Sequence, residues 1–112
     1  MNVASLELSK ELYELSGWKD TEYGWLAYSD WETNTLSYEL SKQDKKRWVA
    51  GAYDLGYLLR KIDQVAIEHY EGRWKALHMT SSAGLTADTP EDAACKLAIE
   101  LFKQKVLTNP AP

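Results

Sequence analysis

The run Ala87-Asp88-Thr89-Pro90-Glu91-Asp92, leading into Ala93-Ala94-Cys95-Lys96-Leu97-Ala98-Ile99-Glu100-Leu101-Phe102-Lys103, leaves this chain little freedom at its C-terminal end. Thr89 is an N-cap whose hydroxyl can accept from an orphaned backbone N–H one turn in. Pro90 suits the first helical position, where a missing N–H costs nothing. Glu91 and Asp92 place negative charge on the positive end of the helix dipole, and Asp92 stands where a capping-box acid belongs. Ala94, Leu97, Ala98 and Leu101 recur at helical spacing, widened by Cys95, Ile99 and Phe102, which leaves Lys96, Glu100 and Lys103 as a narrow polar stripe. A helix this apolar is covered over much of its circumference, so it is expected to lie across a sheet.

The remaining elements follow from periodicity. Ala4, Leu8, Leu12 and Leu15 form one stripe, which predicts a helix over 4–15 with Gly17 as its left-handed C-cap and Trp18 folding back on the core. From Glu22 to Leu40 the period changes to two. Tyr23, Trp25, Ala27 and Trp31 share one parity, and Leu36, Tyr38 and Leu40 alternate with Ser37 and Glu39. Glu32-Thr33-Asn34-Thr35 between them reads as a turn, so a hairpin is expected. Residues 41–50 read as a loop with Trp48 and Val49 as buried anchors. Leu55, Leu58, Leu59 and Ile62 predict a second helix over 52–62. Gly56 inside it costs about 1 kcal/mol relative to Ala, a cost that a close neighbour at the backbone would explain.

Gln64 to Met79 predicts a second hairpin turning at Glu71-Gly72. That turn pairs Tyr70 with Arg73, His69 with Trp74, Glu68 with Lys75 and Ile67 with Ala76, and the opposed charges of Glu68 and Lys75 favour the register. Gly84 to Ala87 adds a short last strand. The resulting expectation is an α+β fold: a three-layer α/β/α sandwich with a central, mainly antiparallel sheet, in the order α-β-β-α-β-β-(β)-α. It forms a single domain over 1–108, with a disordered tail at 109–112.

Charge and composition narrow the function classes. A net charge of −4 over 112 residues argues against a nucleic-acid or anionic-membrane surface. The basic cluster from Lys42 to Arg47 is interrupted by Gln43 and Asp44 and reads as a solvated loop. Cys95 is the only cysteine, so no disulfide forms within the chain, and its place on an apolar helix face reads as a buried small hydrophobe rather than a nucleophile. No apolar run approaches a membrane span, and residues 1–16 are acidic and amphipathic rather than signal-like, so a cytoplasmic location is expected. Five Trp and seven Tyr against one Phe give most large rings a polar edge. Such rings suit half-buried positions and interfaces, and equally the strands of a small sheet.

The catalytic motifs are missing. His69 and His78 fall on one face of the second hairpin, but with His78 opposite Val65 they stand about 13 Å apart along the ribbon, too far to share a metal ion. No GxxxxGK or GxGxxG pattern occurs. Asp54, beside Tyr53 and Tyr57, could orient a hydroxyl or amine of a ligand, although an acid at a helix start more simply complements the dipole. No cofactor and no metal are expected, and no enzymatic activity.

Three segments carry a resemblance: Leu12 to Trp18 (LYELSGW), Ala52 to Ile62 (AYDLGYLLRKI), and Trp74-Lys75-Ala76 leading to Ala87-Asp88-Thr89-Pro90 and Ala93–Ala98. Together they resemble the phage ABA sandwich domain, a family of small proteins encoded by bacteriophages and prophages. The resemblance covers roughly two-thirds of the chain, and its motifs are structural. It implies the sandwich fold and a viral origin, and it carries over no catalytic residue.

These readings give a leading expectation: a non-enzymatic binding protein, encoded by a phage or mobile element, that blocks a host protein such as a defence effector in the manner of an anti-CRISPR. Trp25, Tyr28, Trp31 and Trp48 are its expected contact residues. The alternative is a sponge for a small-molecule nucleotide signal, with Tyr53, Tyr57 and Trp74 stacking a base, Arg60 or Arg73 meeting a phosphate, and Asp54 orienting the ligand. A phage accessory role is a third. An exposed edge strand in the aromatic hairpin would also suit a homodimer.

Overall fold

Residues 2–108 are described by a computed structural model, in which the chain runs α1 (Leu6–Ser16), β1 (Gly24–Asp30), β2 (Thr35–Ser41), a 3-10 turn at Lys45–Arg47, β3 (Trp48–Gly51), α2 (Leu55–Lys61), β4 (Val65–Tyr70), β5 (Arg73–His78), β6 (Gly84–Ala87) and α3 (Pro90–Lys103). The tail expected at 109–112 lies outside the described residues.

Helix ends fall where side chains satisfy them. The Thr89 hydroxyl accepts from the Asp92 N–H at 3.1 Å, starting α3 as its sequence requires. Asp92 does not close a capping box on its own helix. Its Oδ1 accepts from the Ser5 N–H at 2.7 Å, which ties the start of α1 to the start of α3. Ser5 caps α1 in turn, and Gly17, at φ 66°, ends it in the left-handed conformation. The second helix begins later than periodicity suggested. Asp54 is its N-cap, accepting from the Tyr57 N–H at 2.7 Å, while Ala52 and Tyr53 are held outside it: the Ala52 N–H donates to Tyr23 O and Tyr53 O accepts from the Ala4 N–H. Shortened this way, α2 leaves Leu59 exposed. Nothing crowds Gly56 either, since a Cβ there would meet only the tips of Arg60 and Asp54, at 3.4 and 3.5 Å.

The strands form two three-stranded antiparallel sheets, ordered β2-β1-β3 and β4-β5-β6, in place of the single central sheet expected. The segment Trp48–Gly51, expected as loop, pairs with β1 through Gly24↔Gly51 and Trp25↔Ala50, with a bulge between Trp25 and Leu26. The second hairpin takes the register read from its turn, from Tyr70↔Arg73 to Val65↔His78. Glu71 and Gly72 both have positive φ, 51° and 77°, as a mirror-image two-residue turn demands.

The core gathers around α3. One flank of this helix meets β5 and β6, while α1 and α2 pack against it elsewhere, and α1 also reaches β3. Ala94, Leu97, Ala98 and Leu101 are completely buried, joined by Leu12, Tyr53, Leu58 and Ile62. The helices therefore shelter one another as well as lying on a sheet, and the α+β class stands. Cys95 is buried 3.6 Å from the Leu8 carbonyl oxygen, and burial pushes its thiol well above the ordinary range, the state of a core residue rather than a nucleophile. Among the described residues no helix is long and apolar enough to cross a membrane.

Candidate functional site

Two regions collect the residues that could act on another molecule. The first is the β1–β2 ribbon. Opposed residues in an antiparallel pair share a face, so Trp25↔Leu40, Ala27↔Tyr38 and Ser29↔Leu36 place an apolar row on one side. Leu26↔Glu39 and Tyr28↔Ser37 lie on the other. Where the ribbon joins the body, Lys10 Nζ donates to the Tyr38 hydroxyl at 3.2 Å and sits over its ring. Beyond that point the body ends, and every residue from Tyr28 to Ser37 is exposed. Asp30 Oδ1 accepts from the Glu32 N–H at 2.9 Å and shapes the turn.

Of the four aromatic residues expected to make contacts, two are on offer. Trp31, at the turn, is 85% exposed, and Tyr28 is 41% exposed. Trp25 is half-buried, with its indole nitrogen enclosed and without an acceptor. Trp48 is not available: it is 4% exposed, and its indole N–H donates to Gln43 O at 2.8 Å. Its ring lies so close over Gly24 that a Cβ there would fall 1.9 Å from it. Trp48 is thus the buried anchor expected of the segment 41–50 and not a contact residue, and it stands opposite Leu26 in the pairing of β1 with β3. What the sequence reading missed is the strand, although the apolar run Trp48-Val49-Ala50 is short enough to be a buried one.

The second region is a cavity of about 140 Å³ between the segment 20–23 and the start of α2, where Ala52, Asp54, Tyr57 and Arg60 line it. Most of its polar side chains are already engaged among the described residues. The Tyr57 hydroxyl donates to Asp20, which also accepts from Lys61 Nζ at 2.9 Å. Asp54 caps α2, Glu22 pairs with Lys42 at 3.1 Å, and the Thr21 hydroxyl donates to Tyr23 O at 2.7 Å. Burial, reinforced by the Asp20 carboxylate, pushes the Tyr57 hydroxyl far above its ordinary range. The same hydroxyl holds Asp20 below the usual carboxylate value, and Lys61 assists. Arg60 has no ion pair among the described residues.

The six residues expected to form a nucleotide site are not brought together. Asp54, Tyr57 and Arg60 line the cavity. Tyr53 is completely buried, stacked on Tyr57 at 5.5 Å, and its hydroxyl donates to Trp18 O at 2.7 Å. Arg73 sits on the other sheet, paired with Asp88 at 2.9 Å. Trp74 stacks on His69 at 4.5 Å. The cavity is lined by three acids, Asp20, Glu22 and Asp54, and one guanidinium, Arg60; Lys61 and Lys42 are paired with Asp20 and Glu22. Asp20 went unnoticed in the sequence because it reaches Tyr57 and Lys61, one turn apart on α2, from a distant loop. His78 is buried with Nδ1 2.7 Å from the Ser81 hydroxyl, and no group of metal-ligating side chains occurs among the described residues.

Comparison with protein-family models, curated proteins and solved structures finds no match. The resemblance to the phage ABA sandwich domain therefore rests on the quoted segments alone.

Proposed function

We propose that this chain is a binding protein without catalytic activity, and that it engages its partner with Tyr28 and Trp31 on the β1–β2 ribbon. The observation that carries this reading is the exposure of Trp31, 85%, at the tip of a ribbon that no helix covers. An indole held in water gains on transfer to a dry surface, and it loses little side-chain entropy in doing so. Tyr and Trp are also the residues most often found at the centre of binding energy in interfaces. The partner proposed is a host protein of the bacterial cytoplasm, blocked on behalf of a phage or mobile element, as the resemblance of the sequence suggests.

The test is affinity capture from bacterial lysate with the wild-type chain and with a Tyr28→Ser, Trp31→Ser double variant. A partner retained by the wild type and lost by the variant is the expected result. Equal retention by both would remove the ribbon from the reading.

A further inference from the structure

We propose that two copies of this chain pair edge to edge through β2, antiparallel about Tyr38, to make one continuous six-stranded sheet. In the order β2-β1-β3 the outer side of β2 has no neighbouring strand among the described residues, so its backbone donors and acceptors are open to another strand. Edges are normally guarded by a Pro, a Lys, a bulge or very short length. Thr35–Ser41 is seven residues long and pairs with β1 without a register shift. It contains neither Pro nor Lys, and Glu39 is its one charge.

The register follows from the sequence of the strand. Tyr38 is its midpoint, so pairing about that residue uses the whole strand. Leu36 then faces Leu40 of the second copy, Tyr38 faces Tyr38, and Glu39 faces Ser37. The apolar row of each ribbon (Trp25, Ala27, Leu36, Tyr38 and Leu40) continues into the other on the same face. Centring on Glu39 instead opposes two carboxylates, which is destabilising. A shift that pairs odd with even positions throws the apolar rows to opposite faces.

Charge beyond the strand favours the same arrangement. The turn before β2 carries Asp30 and Glu32, and the segment after it carries Lys45, Lys46 and Arg47. None of these makes an ion pair among the described residues. Antiparallel pairing brings the acidic turn of each copy to the end of the sheet where the other copy's basic segment lies. Tyr28 lies on the opposite face from Leu36 and Tyr38, so the dimer does not cover it.

Sedimentation velocity across a dilution series tests the pairing with no partner present, so its failure leaves the Tyr28 and Trp31 reading intact. The wild type is expected to form a dimer that dissociates more readily in high salt. Ser37→Glu opposes Glu39 twice in each dimer and should weaken it about 2- to 30-fold, and Ser37→Lys should tighten it by a similar factor. Position 37 is exposed in the single chain, so neither change should disturb folding. Opposed residues in an antiparallel pair have Cα atoms about 4.5–5.5 Å apart, within disulfide reach. In air, Tyr38→Cys should therefore cross-link two copies faster than Thr35→Cys, and the buried Cys95 does not compete. A monomeric wild type, with cross-linking no faster at 38 than at 35, overturns the proposal. So does a dimer indifferent to the sign of charge at 37.

Discussion

The cavity beside α2 and the β1–β2 ribbon both carry tyrosines and acids, and they finish in opposite states. In the cavity the Tyr57 hydroxyl, Asp20, Asp54, Glu22 and Thr21 all have partners inside the chain. In the ribbon, Trp31 and Tyr28 stand in water, and the outer edge of β2 has no strand beside it among the described residues. A crowd of chemically capable side chains therefore does not mark a site by itself. Bonding capacity and apolar surface left unanswered within the fold are better guides, because burying such groups correctly is what a second molecule can add.

Truncating one ring in each region breaks or sustains that contrast most forcefully. Tyr53→Ala, in the completely buried wall behind the cavity, should cost about 3–5 kcal/mol of unfolding free energy, whereas Trp31→Ala should stay within about 0.5 kcal/mol. Urea unfolding of the two variants reads both, and comparable losses would mean that the ribbon is part of the core. A finer division lies within the ribbon itself, between its exposed tip and its seated base. Gly24→Ala drives a methyl into the Trp48 ring and should cost about 1–3 kcal/mol, with altered tryptophan fluorescence.

Next in size is Tyr57→Phe, which removes the hydroxyl that Asp20 accepts. The Asp20 side chain is 63% exposed, so solvent screening limits the expected loss to about 1 kcal/mol at neutral pH. Its sign with pH is fixed by the lowered pKa of Asp20. The stabilisation is whole above the ordinary value of 3.8 and disappears as pH falls through the depressed folded value. Thermal melts of wild type and variant should therefore converge in acid. The smallest effect is a gain: Gly56→Ala, in a helix position with room for a Cβ, should add about 0.5–1 kcal/mol. A loss there would show that the cavity beside it needs the glycine.

Local signals were legible in the sequence, and assembly was not. The Thr89 cap, the Gly17 stop and the register of β4 with β5 each depend on a few neighbouring residues, and each formed as read. The late start of α2 was also written locally, in Asp54 as an N-cap residue, but the longer apolar period masked it. The third strand of the first sheet was harder to see. It depends on Trp48–Gly51 reaching back to Gly24 and Trp25, and four residues are too few to display a period. The same limit hid the cavity, since Asp20 and Tyr57 are 37 positions apart. Counting rings could not separate Trp48, packed against a glycine, from Trp31, packed against nothing.

Photo-crosslinking in the bacterial cell offers the most direct measurement of whether the ribbon, and not the cavity, meets other molecules. A photoreactive residue would be placed in turn at Tyr28, Trp31, Asp54 and Arg60, all exposed in the free chain. Adducts to a common protein from positions 28 and 31, with none from 54 and 60, are the expected result. Adducts confined to 54 and 60 would contradict the account and move recognition to the cavity.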